Sequence, residues 1–134
     1  MPILDSDIII SYFRNVPKAV ETIDALIQEK TTLMTTIFNV AELYKGACLS
    51  SKVKENLKLI EDFLQNIAII NFTVPDALKY AEISSNLRNK GMSIGIFDEL
   101  IASIAITNNE PIITRNKDHY KRIPHISLKN WEQS

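Results

Sequence analysis

The sequence predicts an α/β fold, a small parallel sheet of about five short strands with helices on both faces. Two observations carry this expectation. Short β-prone runs alternate with helical patterns along the whole chain. Neighbouring strand candidates are often separated by one or two helices, as parallel crossovers require and hairpins do not.

Taken in order, residues 1–5 form an apolar run ending in an acid and read as a strand. Ser6 suits a helix cap, and Ile9, Ile10 and Phe13 space a helix to about Arg14. Pro17 fits the first turn of a second helix reaching about Lys30. TTLMT (31–35) is β-prone, and TIFNVAELYKGACL (36–49) reads as a helix. Residues 52–66 are amphipathic, with Val53, Leu57, Ile60, Phe63 and Leu64 on one side. AIINF (68–72) reads as a strand. Residues 74–89 form a helix closed by Gly91, and an apolar helix spans 97–108. PIIT (111–114) is a strand, and residues 126–128 form a last short one. The final KNWEQS reads as a loose tail with Trp131 as its one anchor.

The chain has 134 residues, 46% of them hydrophobic and 23% charged. That suits one globular domain over 1–134. The single cysteine, Cys48, excludes an intramolecular disulfide and reads as a small buried residue in an apolar helix. No basic leader precedes the first strand, and no apolar run approaches the ~18 residues of a membrane span. The expectation is a cytoplasmic protein without a membrane partner. A formal charge of −1 argues against a strongly basic nucleic-acid binder but does not exclude a local basic field.

Four segments carry acids or amides where a core would be apolar. In ILDSDIII, Asp5 ends a strand and Asp7 follows. The carboxyl ends of parallel strands are where such folds gather their sites. In TTIFNVAELYKG, Glu42 stands on an otherwise apolar helix. In GIFDELIASIAI, Asp98 shares a helical face with Ile101, Ala102 and Ala105, and Glu99 beside it reads as a surface or supporting acid. In ITRNKDHY, Thr114 ends a strand, and Asn116 and Asp118 follow. Each has an ordinary alternative: a helix cap, a weak surface pair with Lys45, a dipole-favoured first-turn acid, a polar turn. Together they would repel by several kcal/mol unless protonated or joined by a cation. Oxygen donors without His or Cys point to Mg²⁺ or Mn²⁺, and His119 and His125 are poorly spaced for zinc. A carboxylate-held Mg²⁺ at a phosphodiester is nuclease chemistry.

These four segments, in this order and at these spacings, resemble the PIN-domain proteins, and among them the VapC-type ribonuclease toxins of prokaryotic toxin–antitoxin pairs. The resemblance spans essentially the whole chain. It implies a PIN-like three-layer fold and an Mg²⁺-dependent endoribonuclease, with Mn²⁺ able to substitute. Catalytic positions fall on Asp5, Glu42, Asp98 and Asn116, and metal ligands on Asp5, Asp98 and Glu42. Asp7, Thr114 and Asp118 are supporting residues. The family's usual Asn two positions after the first acid is Asp7 here. Many relatives have another Asp where this chain has Ile96, so one bound metal is expected, with Asp118 a possible substitute acid. The resemblance also implies an RNA substrate, a small cognate antitoxin and a homodimer.

Counting Asp5, Glu42 and Asp98 as neutralised by a cation turns the formal −1 into +2. Arg115 and Lys117 flank Asn116 and are candidate RNA contacts. The apolar helix faces between Pro17 and Phe63 exceed one small core, which suggests dimer or antitoxin contacts there. Two rivals stand: a PIN-type module that binds or processes RNA outside a toxin pair, and a D-x-D aspartyl phosphatase starting at Asp5. A response-regulator receiver fits less well, because AIINF ends without an acid.

Overall fold

The computed structural model describes residues 1–133; the last residue of the KNWEQS tail lies outside them. A five-stranded parallel sheet runs in the order β3-β2-β1-β4-β5. Its strands are β1 (Ile3–Leu4), β2 (Met34–Thr36), β3 (Ala68–Ile70), β4 (Ile112–Ile113) and β5 (Leu128–Lys129). The helices are α1 (Ser6–Phe13), α2 (Pro17–Gln28), α3 (Ile37–Cys48), α4 (Val53–Leu64), α5 (Val74–Asn89), α6 (Ile96–Thr107) and the single turn α7 (Lys117–Tyr120).

The pleat divides the core. Successive strand residues point to opposite faces, so Ile3 and Ile112 join Ile83, Leu87, Ile101 and Ile104 of α5 and α6 on one side. Leu4 and Ile113 join Ile8, Ile9, Ile23, Leu43 and Ile60 of α1 to α4 on the other. This is the expected three-layer arrangement. Ile101 is fully buried between α6 and the sheet. Ile101→Ala is expected to destabilise the fold by about 2–5 kcal/mol, read as a lower urea midpoint at unchanged slope.

From β1 the chain adds β2 and then β3 on one side, and returns to add β4 and β5 on the other. This reversal opens a crevice at the carboxyl ends of β1 and β4, where such sheets take their ligands. Asp5 and Thr114 are the first residues beyond those two ends.

Several expectations need correction. Thr36 ends β2 and caps α3 rather than starting the helix. The last strand lies at 128–129, not 126–128. Residues 117–120 form a helical turn where a polar loop was read. Cys48 is exposed; it is the last residue of α3, off the side that buries Val40, Leu43 and Ala47. Of the two readings of Glu99, surface or supporting acid, the surface one fails: Glu99 is buried and accepts a hydrogen bond from the Ile94 N–H (3.2 Å). The tail is anchored by Trp131, only 3% exposed. Among the described residues, no helix is long and apolar enough to cross a membrane.

Candidate active site

The crevice is a cleft of about 440 Å³ lined by Asp5, Asp7, Glu42, Asp98, Arg115 and Asn116, with Ser6, Ile10, Ser11, Arg14 and Val16 on its α1 side. Four different elements supply the acids and amide. Asp5 ends β1 and caps α1, accepting from the Ser6 N–H (2.9 Å). Glu42 stands near the middle of α3, half-buried. Asp98 is in the first turn of α6. Its aim depends on Gly95, whose φ of +105° turns the chain into that helix through backbone space that side chains rarely enter. Asn116 precedes α7.

A dense hydrogen-bond network holds these groups. Asp5 Oδ1 accepts from Asn39 Nδ2 (2.9 Å) as well as from the Ser6 N–H. Asn39 is fully buried and is fixed in turn by Thr36, whose N–H and hydroxyl donate to Asn39 Oδ1 (3.2 and 2.8 Å). The Ser6 hydroxyl donates to Glu42 Oε1 (2.9 Å). Asn116 Nδ2 donates to Asp98 Oδ2 (3.1 Å), and His119 Nδ1 lies 3.4 Å from the same oxygen. The Tyr120 hydroxyl reaches Asp98 Oδ1 at 3.4 Å.

Thr114 Oγ1 lies 2.8 Å from Asp5 Oδ2 and 2.9 Å from Asp7 Oδ2. A hydroxyl has one proton to donate. Satisfying both contacts therefore takes a second proton on a carboxyl, or a cation that replaces it. The electrostatics agree. Burial, and next the charge of Asp7, push the Asp5 carboxyl up to about 7, against the hydrogen bonds from Thr114 and the Ser6 N–H. Burial likewise raises Glu42 and Asp98, each further raised by neighbouring acids and opposed by hydrogen bonds from Ser6 and from His119 and Tyr120 respectively. Burial and the surrounding acids keep the Tyr120 phenol protonated. Several acids that resist ionisation in one cleft call for positive charge.

The donor set fits a hard divalent cation. A carboxylate has about four lone-pair sites. Among the described residues, Asp5 Oδ2 shares the one Thr114 hydroxyl proton with Asp7, Asp98 Oδ1 accepts from the Tyr120 hydroxyl, and Glu42 Oε2 accepts no hydrogen bond. Among the described residues, no three His, Cys, Asp or Glu side chains are gathered closely enough to ligate one ion. An ion in the cleft would therefore be held directly by at most two of these carboxylates, with water completing its shell.

The cleft thus unites Asp5, Glu42, Asp98 and Asn116, with Asp7 and Thr114 beside them. It does not take in Asp118, whose exposed carboxylate pairs with Lys121 at 3.3 Å. Lys117 is exposed on α7 and does not line the cleft, whereas Arg115 does. Sequence reasoning missed Ser6 as a partner of Glu42, and also Asn39, Arg14, His119 and Tyr120. The Thr36-x-x-Asn39 spacing was a usable signal, since it mimics a capping box. His119 lies one helical turn beyond Asn116, a spacing that brings side chains together. Arg14 carried no signal.

Comparison with known proteins identifies the fold and the family. The PIN domain family model matches residues 3–126. The chain is 32% identical over 130 residues to Ribonuclease VapC2 of Rickettsia felis, covering 97% of each. It is 28% identical over 128 residues to the tRNA(fMet)-specific endonuclease VapC of Shigella flexneri, covering 96% of each. Its fold superposes on a chain of the Rickettsia felis VapBC2 complex, a crystal structure bound to a DNA fragment from their promoter. The TM-score is 0.88 at 31% identity, over 96% of this chain and 97% of that one.

Proposed function

The chain belongs to the PIN-domain family, and from that membership we propose that it is an endoribonuclease. It is the toxin of a type II toxin–antitoxin pair and hydrolyses RNA phosphodiesters with an Mg²⁺ ion. One observation carries the reading: Asp5, Glu42 and Asp98, from a strand end and two helices far apart in sequence, line one cleft with raised carboxyl pKa values. PIN-domain ribonucleases are metal-dependent. Mg²⁺ is the metal we assign, because the donors are all oxygen and leave room for water.

Asp5 and Asp98 would hold the ion, with Glu42 joining through water. The bound ion supplies Lewis-acid charge at a phosphodiester oxygen and lowers the pKa of a nearby water. Glu42 lines the cleft, its Oε2 accepts no hydrogen bond among the described residues, and it would take the proton of the attacking water. Asn116 and Thr114 keep Asp98 and Asp5 in place through the bonds described above. Arg115 and Arg14, which line the cleft beside the acids, meet the flanking phosphates. The D-x-D phosphatase alternative is weakened because the nucleophile it needs, Asp5, is buried and hydrogen-bonded at both oxygens.

The antitoxin partner is supported by an apolar groove next to the cleft. Ile10, Phe13, Leu43, Ala47, Leu59 and Ile60 line a volume of about 240 Å³ that shares Ile10 and Arg14 with the acidic site. A homodimer completes the proposal; exposed Val74 and Leu78, one turn apart on α5, offer an apolar contact, and sedimentation tests it.

The test incubates purified protein with end-labelled RNA, tRNA(fMet) included, with Mg²⁺, with Mn²⁺ and with EDTA. Cleavage with either metal and none with EDTA is expected. RNA that is bound but left intact under every metal would instead identify an RNA-binding PIN module. Asp118→Ala is expected to cleave at the wild-type rate and to change stability by no more than about 0.5 kcal/mol, because Asp118 lies on the surface.

A further inference from the structure

The C-terminal turn is the least expected contributor to the cleft. β5 ends at Lys129, and two residues later Trp131 is buried as a member of the second core cluster, which also holds Leu4, Ile8, Ile9 and Ile113. The ring is not there for packing alone. Its indole Nε1–H donates to Asp7 Oδ1 at 2.9 Å, a link between residues 124 positions apart. Asp7 Oδ2 accepts from the Thr114 hydroxyl (2.9 Å) and from the Arg115 N–H (3.1 Å). Asp7 is thus held by three donors from two segments, the C-terminal turn and the stretch after β4. Thr114 is the same residue that lies 2.8 Å from Asp5 Oδ2.

We infer that Trp131 is a positioning residue of the active site: its N–H orients Asp7, and Asp7 sets Thr114 and the Arg115 backbone against Asp5. The inference rests on the ribonuclease reading above. Physically, an indole anchored in a packed core cannot drift, so it transfers the rigidity of the core to a carboxylate at the cleft's edge. Asp7 alone, partly exposed at the start of α1, has rotamers that would leave Thr114 free to turn away from Asp5. The backbone assists on the same side, because the Thr114 N–H donates to the Lys129 carbonyl (3.0 Å) just before the turn. The chain's only tryptophan therefore reaches Asp5 through three linked contacts, by way of Asp7 and Thr114, without touching substrate.

The test is a double-mutant cycle between Trp131→Phe and Asp7→Ala. Phenylalanine keeps an aromatic ring in the core and removes the N–H. Two readouts are taken: RNA cleavage at saturating substrate, and Mn²⁺ affinity of the metal-free protein by calorimetry, which does not depend on turnover. Trp131→Phe is expected to lower both by about tenfold, the scale seen when outer hydrogen-bond partners of metal ligands are lost. KM is expected to stay unchanged. In the Asp7→Ala background the same substitution is expected to change neither readout further, because its effect passes through Asp7. Equal losses in both backgrounds would mean a packing role and overturn the inference, as would wild-type behaviour of Trp131→Phe. Should Trp131→Phe fail to fold, Asp7→Ala alone decides: wild-type Mn²⁺ affinity in that variant overturns the inference. A wild-type chain that neither binds Mn²⁺ nor cleaves RNA overturns the ribonuclease reading, and this inference with it.

Discussion

Asp5→Asn is expected to abolish RNA cleavage while making the metal-free protein more stable. Asparagine has the shape of aspartate and can keep its hydrogen bonds. Its oxygen accepts from the Ser6 N–H and Asn39, and its amide donates to Thr114 Oγ1, which then gives its one proton to Asp7. What disappears is the charge. The expected loss of rate is at least about a hundredfold, because replacing even outer partners of metal ligands costs 10- to 100-fold.

The stability change has the opposite sign. The folded-state pKa of Asp5 is raised from 3.8 to about 7. Between these values the native state binds more protons than the unfolded chain, so stability falls as pH rises. The contribution of this group is fully present below about pH 4 and is lost as pH rises through 7. In the metal-free wild type, the melting temperature is therefore expected to decline over that window. In Asp5→Asn the decline from this group is gone, and at pH 7 or above the variant gains on the order of 2 kcal/mol. Calorimetry across pH in EDTA checks it; a variant less stable than wild type at pH 8 would contradict the assigned burial of charge.

Chelation of divalent cations, and Asp98→Asn, form the second large expectation. Removing the cation with EDTA should end cleavage, and restoring Mg²⁺ or Mn²⁺ should return it. A ligand that binds only the folded state stabilises it by mass action, so added Mg²⁺ is expected to raise the melting temperature of the wild type. In Asp98→Asn that rise should shrink or vanish, and cleavage should fall to the level of Asp5→Asn. Groups that act as a unit are not additive, so the double variant is expected to be no worse than either single one. A double variant a further hundredfold slower would indicate two independent roles. Asp98→Asn should fold normally, because its carboxylate is partly exposed and Asn116, His119 and Tyr120 remain to face the amide.

The legible part of this protein lay in its periodicities and in four short motifs. Strands are legible as short apolar or β-prone runs and helices as apolar residues recurring near every 3.6 residues, and those local patterns are properties of the sequence. Asp5, Glu42, Asp98 and Asn116 stood out because a carboxylate or amide next to an apolar run conflicts with burial, whatever the fold. Their order was enough to evoke a family.

Other features depended on which face of an element meets which neighbour. Cys48 and Glu99 were both misjudged, one exposed and one buried, because an apolar helix does not reveal which of its sides is covered. Asp118 was two residues from Asn116 in sequence but turned out to solvent at α7. His119 entered the site for the same reason, as its side of that one turn faces Asp98. Asn39 reaches Asp5 across 34 residues and Trp131 reaches Asp7 across 124. By itself, then, the sequence determined the elements, the acids and their chemistry, because burial cost and helical spacing act locally. Only the tertiary structure decided which groups hold those acids in place, because hydrogen bonds between distant segments exist only once the sheet brings the ends of β1, β4 and β5 side by side.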